Sequence, residues 1–84
     1  MAFKFKNLIA PNQGPHYRNV KAYICDTPDD INKLPRVGVK GTQILNDGED
    51  AIDNAECNYG SEATVVTPFG GFILNASNEW KQIF

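Results

Sequence analysis

Tyr59-Gly60-Ser61-Glu62-Ala63-Thr64-Val65-Val66-Thr67-Pro68-Phe69-Gly70-Gly71-Phe72-Ile73-Leu74-Asn75-Ala76-Ser77-Asn78-Glu79-Trp80-Lys81-Gln82-Ile83-Phe84 decides the fold class. Its β-branched and aromatic runs, Ala63 to Thr67, Phe72 to Asn75 and Glu79 to Ile83, suit a pleated surface. The breaks between them, Pro68 to Gly71 and Ala76 to Asn78, carry the residues that turns require. The stretch predicts a three-strand β-meander, which is scaffold and brings no chemistry of its own.

Upstream, Asn19 to Cys25 alternates Val20, Ala22 and Ile24 against Lys21, Tyr23 and Cys25, predicting a strand whose Val-Ala-Ile face is buried. Tyr23, on the other face, is an amphipathic ring suited either to packing under a loop or to anchoring an interface. Thr27-Pro28-Asp29-Asp30-Ile31-Asn32-Lys33-Leu34-Pro35 predicts a short helix over Pro28 to Leu34. Thr27 is its N-cap, Pro28 its first residue, Asp29 and Asp30 lie at the positive end of its dipole, and Pro35 stops it. Capping explains Asp26, Asp29 and Asp30 without a cation. Ile31 and Leu34, three apart, share the buried side.

The fold expectation is therefore mainly β: a small antiparallel sheet or meander with one short helix and a core of Val20, Ile24, Ile31, Leu34, Val65, Leu74 and Trp80. Residues 1–18 read as an N-terminal arm or edge strand and loop, and residues 19–84 as the small β-rich domain. Ala2-Phe3-Lys4-Phe5-Lys6 alternates with period two, as an edge strand does, and such a segment can also add to a neighbouring sheet. Phe3, Phe5 and Tyr23 are thus the candidate interface residues, with packing in their own core as the alternative. Between Arg36 and Asn58 the reading is a bent strand over Val37 to Leu45, a turn at Asn46-Asp47-Gly48, and then one or two helical turns or an acidic loop over Glu49 to Glu56.

Eighty-four residues allow one domain, which buries only about 60 to 65% of its unfolded surface and gains from oligomerisation or docking. With 42% hydrophobic and 21% charged residues the chain is globular in composition. No apolar run reaches the roughly 18 residues of a membrane span, and Met1 to Ala10 lacks the order of a signal peptide. No membrane partner is expected, and synthesis in a cytoplasm is. The net charge of −2 is unevenly placed. Residues 1–40 hold seven Lys or Arg against three Asp, a sum of +4, and residues 41–84 hold one Lys against seven Asp or Glu, a sum of −6. Either the two charges neutralise each other on one surface, or they orient copies and partners against one another. A pI of about 5.1 without a basic cluster argues against nucleic acid.

Chemistry-bearing patterns are sparse. Cys25 and Cys57 show no zinc spacing and read as small buried apolar residues or partly exposed free thiols in preference to a bridge, and His16, next to the Pro11 to Pro15 loop, has no neighbour in sequence to orient it. Asn46 to Asp50 fails as a calcium loop because its acids and glycine are out of register. There is no G-x-S-x-G, phosphate-binding glycine loop, H-E-x-x-H or C-x-x-C. Asn75-Ala76-Ser77 matches a glycosylation sequon and is read as turn chemistry. The expectation is no enzyme activity, no cofactor and no metal.

Several segments together carry a resemblance: Ala22-Tyr23-Ile24-Cys25-Asp26-Thr27, the aspartate-rich helical turn ending in Leu34-Pro35, Gly60-Ser61-Glu62-Ala63-Thr64-Val65-Val66, Phe72-Ile73-Leu74-Asn75 and Glu79-Trp80-Lys81. Over residues 20–35 and 58–83 the chain resembles small structural proteins encoded in the virion gene clusters of tailed bacteriophages. It departs from their pattern by an insertion from Gly38 to Glu56 and by Phe72 in place of tyrosine. The resemblance implies a non-enzymatic virion component, a head decoration or fibre-base element or part of a neck or tail. Its implied partners are other copies and a major capsid or other virion protein. The alternative from another class is a stand-alone binding module or inhibitor that attaches to a host protein.

Overall fold

In a computed structural model, describing residues 3–10, 19–44 and 53–84, the chain is a five-stranded sheet with one short 3-10 helix. The strands are β1 (Phe3–Ala10), β2 (Val20–Cys25), β3 (Glu62–Val65), β4 (Gly70–Leu74) and β5 (Trp80–Gln82), and they lie side by side in chain order. The expected meander is β3-β4-β5, both pairs antiparallel, and β1 joins β2 antiparallel as the sheet edge. Between β2 and β3 the pairing is parallel. Parallel neighbours need a long crossover, and its described parts, residues 26–44 and 53–61, carry the helix and irregular chain over one face of the sheet.

That crossover makes the core. Tyr23 packs edge-to-face with Phe3, Phe5 and Trp80 at 5.9, 6.3 and 6.3 Å, and Cys25, Ala63, Val65, Leu74, Ile31, Leu34 and Cys57 fill in around it. Five of the seven expected core residues are therefore buried, and Val20 and Ile24 are not. The β2 span is as expected but its phase is reversed: Lys21, Tyr23 and Cys25 face inward, while Ile24 is 38% exposed. Tyr23 brings more apolar area than any aliphatic on the strand. Lys21 buries its stem because its ammonium donates to the Glu56 carbonyl at 2.8 Å.

The helix spans Pro28–Lys33 and is 3-10, with Ile31 and Leu34 inward. Thr27 is the N-cap, yet the Asp30 carboxylate does much of the capping, accepting from the Thr27 backbone N–H at 3.0 Å and from its hydroxyl at 3.4 Å. Lys33 pairs with the same carboxylate at 3.6 Å.

Over the described residues 37–44, the bent strand expected from Val37 to Leu45 does not form. Arg36 and Val39 close a tight turn on each other, with Gly38 at φ +76°. Beyond it, Gly41 N–H goes to the Asn54 carbonyl and Thr42 N–H to the Lys33 carbonyl, so these donors serve loop chain and not a ladder. Gly41 sits there because a Cβ would stand 3.0 Å from the Phe3 ring and 3.1 Å from the Lys33 carbonyl. The Asn46-Asp47-Gly48 turn, the calcium-loop comparison, most of the acidic segment, the Pro11 to Pro15 loop and His16 lie outside the described residues.

Candidate interaction face

Of the three candidate interface residues, the core packing given as the alternative holds for two in full and for Phe5 in part. Phe3 and Tyr23 are each 1% exposed at the centre of the core, and Phe5 packs against that core half-buried. The correction has a physical cause: β1 is hydrogen-bonded into the sheet, so its alternating aromatics point under the crossover. Its free edge is also partly closed, since Phe3 N–H donates to the Gln43 side chain and Phe5 N–H to Asp53 Oδ1 at 3.0 Å. Side chains standing on an edge in this way block addition of a further strand.

Beneath the crossover lies a buried polar cluster. Lys21 N–H donates to Ser61 Oγ at 3.1 Å, Ser61 Oγ donates to the Asn58 carbonyl at 2.6 Å, and the Cys57 thiol reaches the Pro35 carbonyl at 3.5 Å. Burial, with Cys57 and Asp53 nearby, pushes the Tyr23 phenol well above its ordinary value, and its hydroxyl makes no hydrogen bond of ordinary geometry. Gln43 Nε2 and Asn54 Oδ1 are likewise buried without a partner. The Cys57 thiol is pushed up by burial, partly offset by Ser61, Tyr23 and the Lys21 charge. Burial beside Asp30 and Asp26 raises the Cys25 thiol to about 12. Both cysteines are free, buried and protonated at neutral pH, which leaves them weak nucleophiles. Among the described residues no group of three or more His, Cys, Asp or Glu is placed to hold a metal ion, and no helix is long and apolar enough to cross a membrane.

Among the described residues, only the C-terminal Phe84 lies over the opposite face of the sheet. Strand register fixes what it presents. Ala22 pairs with Glu62, Glu62 with Ile73 and Ile73 with Lys81, so these four form one row across β2 to β5. Ile24, Thr64 and Gly71 form the next. Since Phe72 points into the core, Gly71 presents its Cα outward, and the Phe84 ring lies over it so closely that a Cβ would overlap the ring. Phe84 also leans on Phe69 at 5.5 Å, and with Val66 and Ile83 these make an exposed apolar end, Phe69 at 75% and Phe84 at 61%. Sequence reading missed this face because the reversed phase of β2 placed Val20, Ala22 and Ile24 inside. The signals that could have found it were the alternation of Glu62 and Thr64 with buried Ala63 and Val65, and Lys81 next to Trp80.

No protein-family model matches the chain, and no curated protein or solved structure matches it significantly. The likeness to phage virion proteins therefore rests on the sequence segments quoted above.

Proposed function

We propose that the protein is a non-enzymatic virion structural component of a tailed bacteriophage, a head decoration or fibre-base element acting through self-association and docking on the capsid. The observation that carries the reading is the one-sided build of the domain. Among the described residues the helix and the crossover chain cover the inner face, while on the outer face only the Phe84 ring lies over Gly71, and its Val66-Phe69-Ile83-Phe84 end leaves large apolar side chains in water. On a small soluble domain such clustering marks a contact surface. A thinly stable chain of 84 residues also gains from packing among many copies. The opposed charges of its two halves suit oriented assembly.

Mass spectrometry of purified particles tests it directly. Many copies of the chain per particle are expected. Particles without the chain, together with no binding to assembled capsids or tails, would overturn the reading in favour of a module that attaches to a host protein.

A further inference from the structure

The uncovered face carries a charge pattern that selects its partner. In the row Glu62–Ile73–Lys81, an apolar residue on β4 is flanked by opposite charges on β3 and β5, about 10 Å apart at two strand spacings. Glu62 and Lys81 are exposed, and neither forms a salt bridge with a described residue. Along β4 the next outward position is Gly71, roofed by the Phe84 ring. The strip above β4 is therefore apolar, with an anion on one side and a cation on the other.

We propose that this face docks on the same face of a second copy, about a two-fold axis running parallel to β4 above Ile73. Such an axis lays β3 over β5 of the partner and β5 over β3. Glu62 then meets Lys81 of the partner subunit, Lys81 meets Glu62 of the partner subunit, and the residues above β4 meet their own equivalents on the axis. An isologous interface has to be self-complementary in this sense. The alternative two-fold, across the strands through Ile73, would set Glu62 on Glu62 and Lys81 on Lys81, and like charges in contact oppose association. Both two-folds keep the strands of the two sheets aligned, as packed twisted sheets are, so charge alone chooses between them. Three strands spaced about 4.8 Å apart make a contact below the roughly 800 Å² per partner of a stable complex. The dimer is weak, and local concentration on a shell would fill it.

This inference rests on the self-association in the proposed function, and its test separates the two. Sedimentation equilibrium of the whole chain, from micromolar to millimolar at low salt, is run on the wild type, Glu62→Lys, Lys81→Glu and the double exchange, with circular dichroism confirming each fold. Each single reversal is expected to weaken dimerisation at least tenfold, and the double exchange to restore it to within a few-fold. A monomeric wild type at millimolar concentration, single reversals that leave association unchanged, or a double exchange as weak as the singles would each overturn the face. A chain found in particles whose association ignores both charges overturns this face and leaves the virion reading standing. Reciprocal rescue in a chain missing from particles does the reverse.

Discussion

Asn78 binds Val37 across 41 residues of sequence as a second strand would, its Oδ1 accepting from the Val37 N–H and its Nδ2 donating to the Val37 carbonyl, both at 3.0 Å. The side chain reaches there because Asn78 sits at φ +61°, a left-handed position that asparagine tolerates better than most residues. The turn presenting it is held by Asn75 Oδ1, which accepts from the Ser77 and Glu79 backbones at 3.0 and 3.1 Å. The β4–β5 turn thus pins the crossover to the sheet.

Asn78→Ala leaves both polar groups of Val37 without this partner and puts alanine at positive φ, so a loss of about 1 to 3 kcal/mol is expected. Asn78→Gly relieves the backbone but not the hydrogen bonds and should recover only part of it. Urea midpoints of the two variants check this. Equal midpoints for wild type and Asn78→Gly would show that the clamp contributes nothing.

Trp80 closes the same junction from inside, its indole N–H donating to the Pro35 carbonyl at 3.1 Å while its ring packs on Tyr23. Trp80→Ala should cost about 3 to 5 kcal/mol, the range for deleting a buried aromatic. As the single tryptophan, it should also give an emission maximum well to the blue of indole in water, moving red on unfolding.

How far the sequence carried these features depends on how local each one is. The β3-β4-β5 meander and the helix were legible because Pro68, Asn75 and Asn78 mark turns within a few residues, and Thr27 and Pro35 bracket Pro28–Lys33, although Gly70 and Gly71, read as turn residues, begin β4. The phase of β2 was not, because Val-Ala-Ile looks more apolar than Lys-Tyr-Cys until Tyr23 is seen among three aromatic rings and Lys21 is seen donating to Glu56. Parallel pairing of β2 with β3, and with it the row Glu62–Ile73–Lys81, depends on a register set by the whole crossover. Nothing near Val37 announces that its backbone partner is Asn78.

Gly41 tests the tight crossing of loop and β1. A Cβ there would press on the Phe3 ring at 3.0 Å, the Lys33 carbonyl at 3.1 Å and the Pro35 ring at 3.2 Å, and the last two are a backbone atom and a closed ring with little freedom to give way. Gly41→Ala should therefore destabilise by about 1 to 3 kcal/mol through overpacking. A thermal midpoint at or above that of the wild type would mean that the loop gives way freely.

Tyr23→Phe removes a hydroxyl that is buried without an ordinary hydrogen bond. Deleting an unsatisfied polar atom while keeping the ring is expected to be neutral or stabilising by up to about 1 kcal/mol. A loss of 1 kcal/mol or more in chemical denaturation would instead reveal a partner such as a bridging water.

Alkaline pH acts on the same interior. Tyr23, Cys25 and Cys57 all have folded-state values raised by burial, Cys25 to about 12. The unfolded chain therefore releases these protons first as pH rises, binds fewer protons than the native state, and stability falls. The contribution of Cys25 is fully present below its unfolded value near 9 and is lost as pH climbs toward 12, at about 1.4 kcal/mol per pH unit. Cys25→Ala should flatten the fall of the urea midpoint between pH 9 and 12 by that amount, after its loss of packing at pH 7 is subtracted. A variant that follows the wild-type slope over this window would mean that Cys25 ionises as readily in the folded protein as in the unfolded one.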